Sequence, residues 1–184
     1  MKKSILIIGR FQPLHFGHIS LIKKYSNLGY FVKIGIGSVN KPCGLSNPLT
    51  FKERTKIIKK SLKENKIKNY SIYNIPDIPK DSLYAKHVLE IVGKFDLVVT
   101  GNKKVKDIFS RYCFSLGICK VIYFNERLDR IKGIEAKVIR KRWLLNKANP
   151  KGLSKSTFNY LKKAKFSDRL KEIYNFKRIK VREI

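Results

Sequence analysis

Short apolar runs alternate with amphipathic stretches along the first two thirds of the chain. The first run, residues 4–8, is continuous and ends at Gly9, which is typical of a strand buried on both faces of a parallel sheet. Apolar side chains at positions 19, 21 and 22 then predict a helix over residues 16–26. Four further strands are predicted over residues 30–36, 70–75, 95–100 and 120–124.

Helices are predicted between these strands. Thr50 and Glu53 have the spacing of a capping box and indicate a helix that ends near residue 62. Asp81 or Ser82 is expected to cap the next helix, and another covers residues 105–112. Strands that alternate with helices indicate an α/β fold with right-handed crossovers. We therefore expect a Rossmann-like, doubly wound, five-stranded parallel sheet with helices on both faces.

The last third of the chain shows only the helical pattern. One helix is predicted over residues 135–145, and an Asn-Pro-Lys-Gly turn ends it. A second helix, capped by Ser154 or Ser156, is expected to run through the basic C-terminus. We accordingly expect a main domain over residues 1–164 and a basic helical extension over residues 165–184.

Loops that follow the strands carry many of the polar and glycine residues. In a doubly wound parallel sheet, ligands bind beyond the carboxyl ends of the strands. Four loops are expected to converge there, residues 10–18, 38–48, 77–81 and 101–102, and the loop 125–133 follows the fifth strand. This arrangement predicts one binding site that is assembled from several loops.

Residues 9–18 hold the densest group of chemically useful side chains. His15 and His18 share one face at the start of a helix, where free N–H groups and a partial positive charge favour phosphate. Gly17 allows a close approach to the backbone, and Arg10 adds a permanently charged donor fork. These residues predict an anion cradle. Because neither an activated nucleophile nor a Walker A motif accompanies it, phosphoryl or nucleotidyl transfer fits best.

The charge of the chain has two interpretations. Lysine and arginine number 42 against 13 aspartates and glutamates, so the net charge is +29. A polyanionic partner such as nucleic acid is one explanation. Compositional bias is the favoured explanation, because lysine far outnumbers arginine and the lysines are spread over the whole chain.

Composition also indicates the cellular compartment of the protein, whether the chain has a membrane-spanning segment, and whether it binds a metal ion. A hydrophobic fraction of 43% fits a globular protein, and no apolar run approaches the length of about 20 residues that spans a bilayer. Cys43, Cys113 and Cys119 form no CxxC pair, which argues against a disulfide framework and fits the cytoplasm. No His, Cys and Asp cluster has metal-ligand spacing, so we expect no metal bound by the protein alone.

Residues 9–18 resemble the nucleotidyltransferase superfamily that carries an H-x-G-H motif after its first strand. They are most similar to the G-R-F-Q-P-x-H-x-G-H stretch of archaeal-type nicotinamide mononucleotide (NMN) adenylyltransferases. The resemblance covers about residues 3–163. Its other matches are residues 34–38, 47–54, Asp77 with 81–84, Phe95-Asp96, Gly101-Asn102, Phe124-Asn125, and Arg140 with Arg142.

The resemblance implies transfer of AMP from ATP to NMN, which gives NAD and pyrophosphate by in-line attack without a covalent enzyme intermediate. Mg2+ would accompany ATP. The catalytic residues it implies are Arg10, His15, His18 and Arg140. Those implied at ATP are Gly9, Arg10, Phe11, Gln12, His15, Gly17, His18, Gly101, Asn102 and Arg140, and Lys137 is added to them from a position where the chain departs from the family. Those implied at the acceptor are Gly37, Ser38, Asp77, Tyr84 and Asn102.

The chain departs from this family at several positions. The family has an S-G-T-E-I-R turn where this chain has Glu135-Ala-Lys-Val-Ile-Arg140. Lys137 could take over phosphate contact, whereas Glu135 would repel phosphate. Tyr84 replaces a tryptophan that stacks on nicotinamide, and a core aromatic is an equal alternative for it.

Three alternatives therefore stay open for the function and the assembly. The chain could transfer a nucleotidyl group to another phosphorylated acceptor. It could be a nucleic-acid-binding relative that has lost catalysis. A homo-oligomer is also open, because the family is often oligomeric.

Overall fold

The computed structural model describes residues 3–117, 119–123 and 134–182. The predicted loop 125–133 and the Phe124-Asn125 match lie outside the described residues. Within these limits there are five strands and seven helices. They are β1 (Ser4–Gly9), α1 (Phe16–Asn27), β2 (Phe31–Gly37), α2 (Phe51–Glu64), β3 (Tyr70–Ile75), α3 (Asp81–Val92), β4 (Leu97–Thr100), α4 (Lys103–Leu116), β5 (Lys120–Tyr123), α5 (Ala136–Leu144), α6 (Lys155–Lys163) and α7 (Phe166–Arg182).

The chain folds as two compact units, each made of three segments. Unit 1 contains the described residues of segments 1–10, 20–41 and 67–130, and unit 2 those of segments 11–19, 42–66 and 131–184. The domain boundary expected at residue 164 stays a prediction. In the part of the chain that the structure describes, no helix is long and apolar enough to cross a membrane.

Unit 1 contains the predicted parallel sheet. The strand order is β3-β2-β1-β4-β5, and every neighbouring pair is parallel. The order reverses beside β1, so right-handed crossovers bring α1 and α4 to opposite faces of the sheet. Ile5, Leu6 and Ile7 of the central strand are at most 2% exposed. The predictions of a doubly wound sheet and of a first strand buried on both faces are confirmed.

One face of the sheet is covered by α3 and α4. Their apolar side chains pack with those of the strands in one buried cluster, formed by Leu6, Ile75, Ala85, Val88, Val92, Phe95, Val98, Phe109 and Cys113. Gly35 of β2 faces the side chain of Ile75, and a Cβ at Gly35 would overlap it. A glycine at this position of the strand therefore leaves room for the Ile75 side chain.

Unit 2 is helical and includes the first turn of α1. Helix α2 packs against α6, and α5 packs against α7. Trp143 is 4% exposed, and its ring centroid lies 5.7 Å from those of both Phe158 and Phe166. The capping box of α2 is confirmed, because Thr50 and Glu53 each accept a backbone N–H of the other, at 3.2 and 2.9 Å.

Two expectations about helix ends are wrong. Helix α3 begins after Lys80, which makes no side-chain cap, so neither Asp81 nor Ser82 is the capping residue. The Asp81 carboxylate instead pairs with Lys104 Nζ at 2.8 Å. The last predicted helix is two helices, because the chain turns at Lys165, whose φ of 47° is left-handed. Ser154 caps α6 as expected.

The cysteines also differ from the expectation. Cys113 near the end of α4 and Cys119 just before β5 form a disulfide. Gly117 ends α4 with a left-handed φ of 62°, and this turn returns the chain so that the two cysteine Cα atoms lie 5.2 Å apart. The six-residue spacing gave no signal for this pair. Cys43 is a free, exposed thiol.

Candidate functional site

In unit 2, the two histidines of the H-x-G-H motif lie together at the start of α1. Their rings are stacked, with centroids 3.8 Å apart and an interplanar angle of 29°. The His15 backbone N–H donates to His18 Nδ1 at 3.3 Å. In a neutral His18 this leaves the proton on Nε2, which is then a donor. The predicted placement of both rings on one helix face agrees with this geometry.

Two glycines shape the same helix start. A Cβ at Gly17 would lie 3.1 Å from His15 Nδ1 and 3.2 Å from its Cε1, so glycine leaves room for the imidazole. The Gly152 carbonyl, from the loop before α6, accepts the Phe16 N–H at 2.9 Å. Gly17 thus has a packing reason in addition to the phosphate approach that the sequence suggested.

Gln12 connects the histidine segment to the loop before α2. Its side chain is 2% exposed. Gln12 Nε2 donates to the Leu49 carbonyl at 2.8 Å and to Asn47 Oδ1, and Gln12 Oε1 accepts the Leu49 N–H at 2.9 Å. The Gln12 amide therefore bonds both to the backbone and to a side chain of the loop 47–49, and this loop supports the segment that carries the histidines.

Arg140 of α5 reaches the same segment from a distant part of the sequence. Its Nη1–H donates to the Gln12 carbonyl at 2.6 Å. Lys137, one turn earlier on α5, is exposed, and Glu135 stands at the N-cap without a side-chain cap bond. Unit 2 therefore brings together Arg140, Gln12 and both histidines, an arrangement with the donors and positive charge that bind phosphate.

In unit 1, a second group of predicted residues lies at the carboxyl edge of the sheet. Strands β1, β2 and β3 end in register there, with Gly9 opposite Ile36 and Gly37 opposite Ile75. Arg10 follows β1 and is exposed. The loops after β2 and β3 are joined directly, because Ser38 Oγ donates to Asp77 Oδ1 at 3.2 Å.

Asn40 strengthens this junction of loops, and the sequence gave it no role. Its side chain donates to the Asp77 carbonyl and accepts the Asp77 N–H, both at 2.9 Å. Ser38 adopts a left-handed φ of 53° beside it. An Asx residue in a polar loop was the only signal that could have identified Asn40.

Gly101 and Asn102 lie at the start of α4. Asn102 Oδ1 accepts the backbone N–H groups of Lys104 at 2.9 Å and Val105 at 3.4 Å. Its own N–H donates to Thr100 Oγ1 at 3.1 Å. Asn102 is thus a helix cap at the positive end of the α4 dipole, where an anion would be favoured.

Tyr84 lies on α3 and is partly buried. Its ring meets Phe109 edge to face, with centroids 6.4 Å apart. Burial and the nearby Asp77 carboxylate raise the pKa of the Tyr84 hydroxyl to about 12. The Tyr84 ring packs against the core, which agrees with the interpretation of Tyr84 as a core aromatic. Its hydroxyl is also close enough to feel the charge of Asp77, which is predicted to bind the acceptor substrate.

Three comparisons place the chain among known proteins. A family model described as cytidylyltransferase-like matches residues 6–183. A protein of Methanococcus aeolicus named nicotinamide-nucleotide adenylyltransferase is 44% identical over 106 residues, which cover 56% of this chain and 60% of that protein. A protein of the same name from Thermococcus sibiricus is 34% identical over 168 residues, 90% of this chain and 87% of that one.

Solved structures share the fold at low identity. A bifunctional NMN adenylyltransferase/ADP ribose pyrophosphatase from Francisella tularensis, complexed with AMP and a Mn ion, has a TM-score of 0.75 at 20% identity. That match covers 99% of this chain and 56% of the Francisella chain. A nicotinic acid mononucleotide adenylyltransferase from Plasmodium falciparum has a TM-score of 0.63 at 17% identity, over 91% of this chain and 98% of that one.

Family membership follows from coverage as well as identity. The match with the Methanococcus protein spans about three fifths of that relative's length, whereas the Thermococcus match spans most of both chains. The family model extends from β1 to the end of α7. This chain belongs to the cytidylyltransferase-like family.

Proposed function

We propose that this protein transfers the AMP unit of ATP to NMN and releases NAD and pyrophosphate. The observation that carries the proposal is the stacked pair of His15 and His18 at the start of α1, with Arg140 bound to the same segment. The relatives named nicotinamide-nucleotide adenylyltransferase support the choice of NMN as the acceptor.

The reaction needs charge stabilisation more than covalent help from the protein. A phosphate oxygen of NMN attacks the α-phosphorus of ATP, a new P–O bond forms, and pyrophosphate leaves with the electron pair of the broken bond. The Nε2–H group of His18, the N-terminus of α1 and the Arg140 guanidinium would bind the oxygens on which negative charge increases. Removal of one such donor typically costs about 10²–10³ in rate.

Roles for the other residues follow the same division. We assign phosphate contacts to Arg10 and Lys137, and a positioning role to Gln12. The remaining ATP contacts are assigned to Gly9, Phe11, Gly17, Gly101 and Asn102. Acceptor contacts are assigned to Gly37, Ser38, Asp77, Tyr84 and Asn102. The cytoplasmic compartment and the oligomeric state stay predictions.

A divalent ion enters this proposal as part of the substrate. Among the described residues, no three His, Cys, Asp or Glu side chains are grouped so that they could hold a metal ion. We therefore expect Mg2+ to arrive on the triphosphate of ATP and to carry charge on the pyrophosphate. Addition of EDTA should abolish turnover, and excess Mg2+ should restore it.

Nicotinic acid mononucleotide is the second candidate acceptor. Lys103 and Lys104 follow Asn102, where the resembling family has proline and leucine. Lys103 adds positive charge at the start of α4, whereas Lys104 is paired with Asp81 at 2.8 Å. Nicotinic acid mononucleotide carries a carboxylate where NMN has a neutral amide. The structural relative from Plasmodium falciparum is named for that acceptor.

A substrate panel separates these proposals. ATP or CTP would be combined with Mg2+ and with NMN, nicotinic acid mononucleotide or another phosphorylated acceptor, and pyrophosphate release would be measured. NAD formation from ATP and NMN at the highest kcat/KM is the expected result. If a different acceptor reacts and NMN does not, the assignment of NMN as the acceptor is overturned. Salt-sensitive RNA binding without any turnover would favour the nucleic-acid-binding alternative instead.

A further inference from the structure

We propose that Arg169 of helix α7 is a positioning residue for the nucleotide site. It holds the loop of residues 47–50, this loop holds Gln12, and Gln12 precedes the two histidines. The kinetic part of the proposal rests on the proposed function. Arg169 lies in the C-terminal stretch for which the sequence suggested only a basic extension.

The first link is the contact of Arg169 with the start of α2. Arg169 Nη1 donates to both carboxylate oxygens of Glu53, at 2.8 and 2.9 Å, and to the Pro48 carbonyl at 3.2 Å. Phe166 and Leu170 lie on α7 on either side of Arg169 and are at most 1% exposed. These buried neighbours fix the backbone from which the guanidinium extends.

The second link is the capping box itself. The Glu53 carboxylate accepts the Thr50 N–H at 2.9 Å and the Thr50 hydroxyl at 3.0 Å. Burial by itself would raise the pKa of Glu53. The hydrogen bonds from Thr50 and Arg169 outweigh burial, so the pKa lies below its ordinary value. Glu53 is therefore a carboxylate at neutral pH, and it binds Arg169 and the loop at once.

The third link joins the loop to the site. Between Pro48 and Thr50, Leu49 exchanges two hydrogen bonds with the side chain of Gln12, at 2.8 and 2.9 Å. Leu49 and Gln12 are 1% and 2% exposed. The Gln12 carbonyl then accepts the Arg140 guanidinium at 2.6 Å. A continuous series of bonds thus connects Arg169 to the catalytic segment.

This series predicts a kinetic effect in addition to any loss of stability. A displacement of about 1 Å in a reacting group can lower a rate by up to about 10²-fold. We expect Arg169→Ala to lower kcat about tenfold, with a smaller change in the KM for ATP. Arg169→Lys should recover part of the rate, because an ammonium group keeps the charge but not the guanidinium geometry.

A double-mutant cycle distinguishes positioning from general stability. If Arg169 acts through Gln12, then Arg169→Ala should lower kcat less than twofold in a Gln12→Ala background. Full multiplication of the two losses would overturn the proposal. Lys163→Ala, which removes an exposed charge near the end of α6, is the control and should change kcat less than twofold.

Two further measurements keep the test independent of the acceptor. Trp143 contacts Phe166, the first residue of α7, so an unchanged tryptophan emission would show that α7 is still packed in Arg169→Ala. Hydrogen exchange at the Leu49 amide should accelerate at least tenfold in Arg169→Ala but not in Lys163→Ala. If exchange at Leu49 is unchanged, the proposal fails whether or not the wild-type protein synthesises NAD. If exchange rises while wild type makes no NAD, only the proposed function fails.

Discussion

Alanine in place of Gly152 tests how the loop before α6 supports the start of α1. Gly152 accepts the Phe16 N–H and has a φ of 90°, a conformation that favours glycine. A Cβ there would lie 3.1 Å from Ile134 Cγ2 and 3.3 Å from its Cγ1. Alanine would therefore bring both backbone strain and a crowded contact.

Backbone strain and crowding together set the loss of unfolding free energy expected for Gly152→Ala. A positive φ costs a residue with a Cβ about 1–2 kcal/mol, and crowding in a packed region costs about 1–3 kcal/mol. Gly29 is the matched control, because its φ is 84° but no atom lies within 4 Å of the Cβ position. Gly29→Ala should therefore show the backbone cost alone, and Gly152→Ala should cost at least about 1 kcal/mol more.

Urea unfolding followed by far-UV circular dichroism, which reports on the helices of both units, measures both variants, and Trp143 fluorescence follows unit 2 alone. Trp143 is the only tryptophan of the chain, and it lies in unit 2 with Gly152. The free energy of unfolding should fall by about 2–5 kcal/mol for Gly152→Ala and by about 1–2 kcal/mol for Gly29→Ala. Equal losses in the two variants would refute the argument from crowding against Ile134.

Three other predictions concern one buried and two partly buried polar groups. Ser61→Ala should lower the free energy of unfolding by about 1–3 kcal/mol in thermal denaturation, because the fully buried Ser61 hydroxyl lies 2.9 and 2.8 Å from those of Ser154 and Thr157. The pKa of Glu53 is lower in the folded protein than its unfolded value of about 4.3, so the ionised carboxylate stabilises the fold above that pH. This stabilisation is lost as pH falls through the folded pKa. Glu53→Gln should therefore flatten the dependence of the urea midpoint on pH in the acid range. An absorbance titration should find a tyrosine that ionises at about pH 12 and is missing from Tyr84→Phe.

Local signals in the sequence were enough to predict much of the fold. The apolar run before Gly9 is the central strand, because burial on both faces leaves no polar alternation. Thr50 and Glu53 cap α2 as their spacing predicts. Both features depend on residues close together in the sequence, where hydrophobic and capping rules apply directly.

Other parts depend on contacts that such rules do not see. The turn at Lys165 has neither glycine nor proline, and burial of Phe166 and Leu170 in unit 2 accompanies it. The bonded Cys113 and Cys119 come together only because α4 ends in a left-handed turn. At Lys165 tertiary packing outweighs the local preference of the chain, whereas the approach of the two cysteines follows from Gly117, a C-capping glycine that lies beyond the predicted helix end at residue 112.

The candidate site also has some contacts that local spacing in the sequence predicts and others that it does not. His15 and His18 could be paired from their spacing, since both lie at the start of one helix. The contact of Arg140 with Gln12 spans 128 residues, and only the family resemblance pointed to Arg140. Nothing in the sequence alone identified the loop contacts of Gln12 or the role of Arg169, because hydrogen bonds between distant segments leave no periodic pattern.

NAD formation from ATP, Mg2+ and NMN, compared between His18→Ala and the wild-type protein, tests whether His18 stabilises the transition state of adenylyl transfer. Lys23→Ala on the exposed face of α1 is the control. Wild type and Lys23→Ala should form NAD at similar rates, and His18→Ala should lower kcat by about 10²–10³ while its tryptophan emission stays unchanged. Equal rates for His18→Ala and wild type would contradict this role of His18.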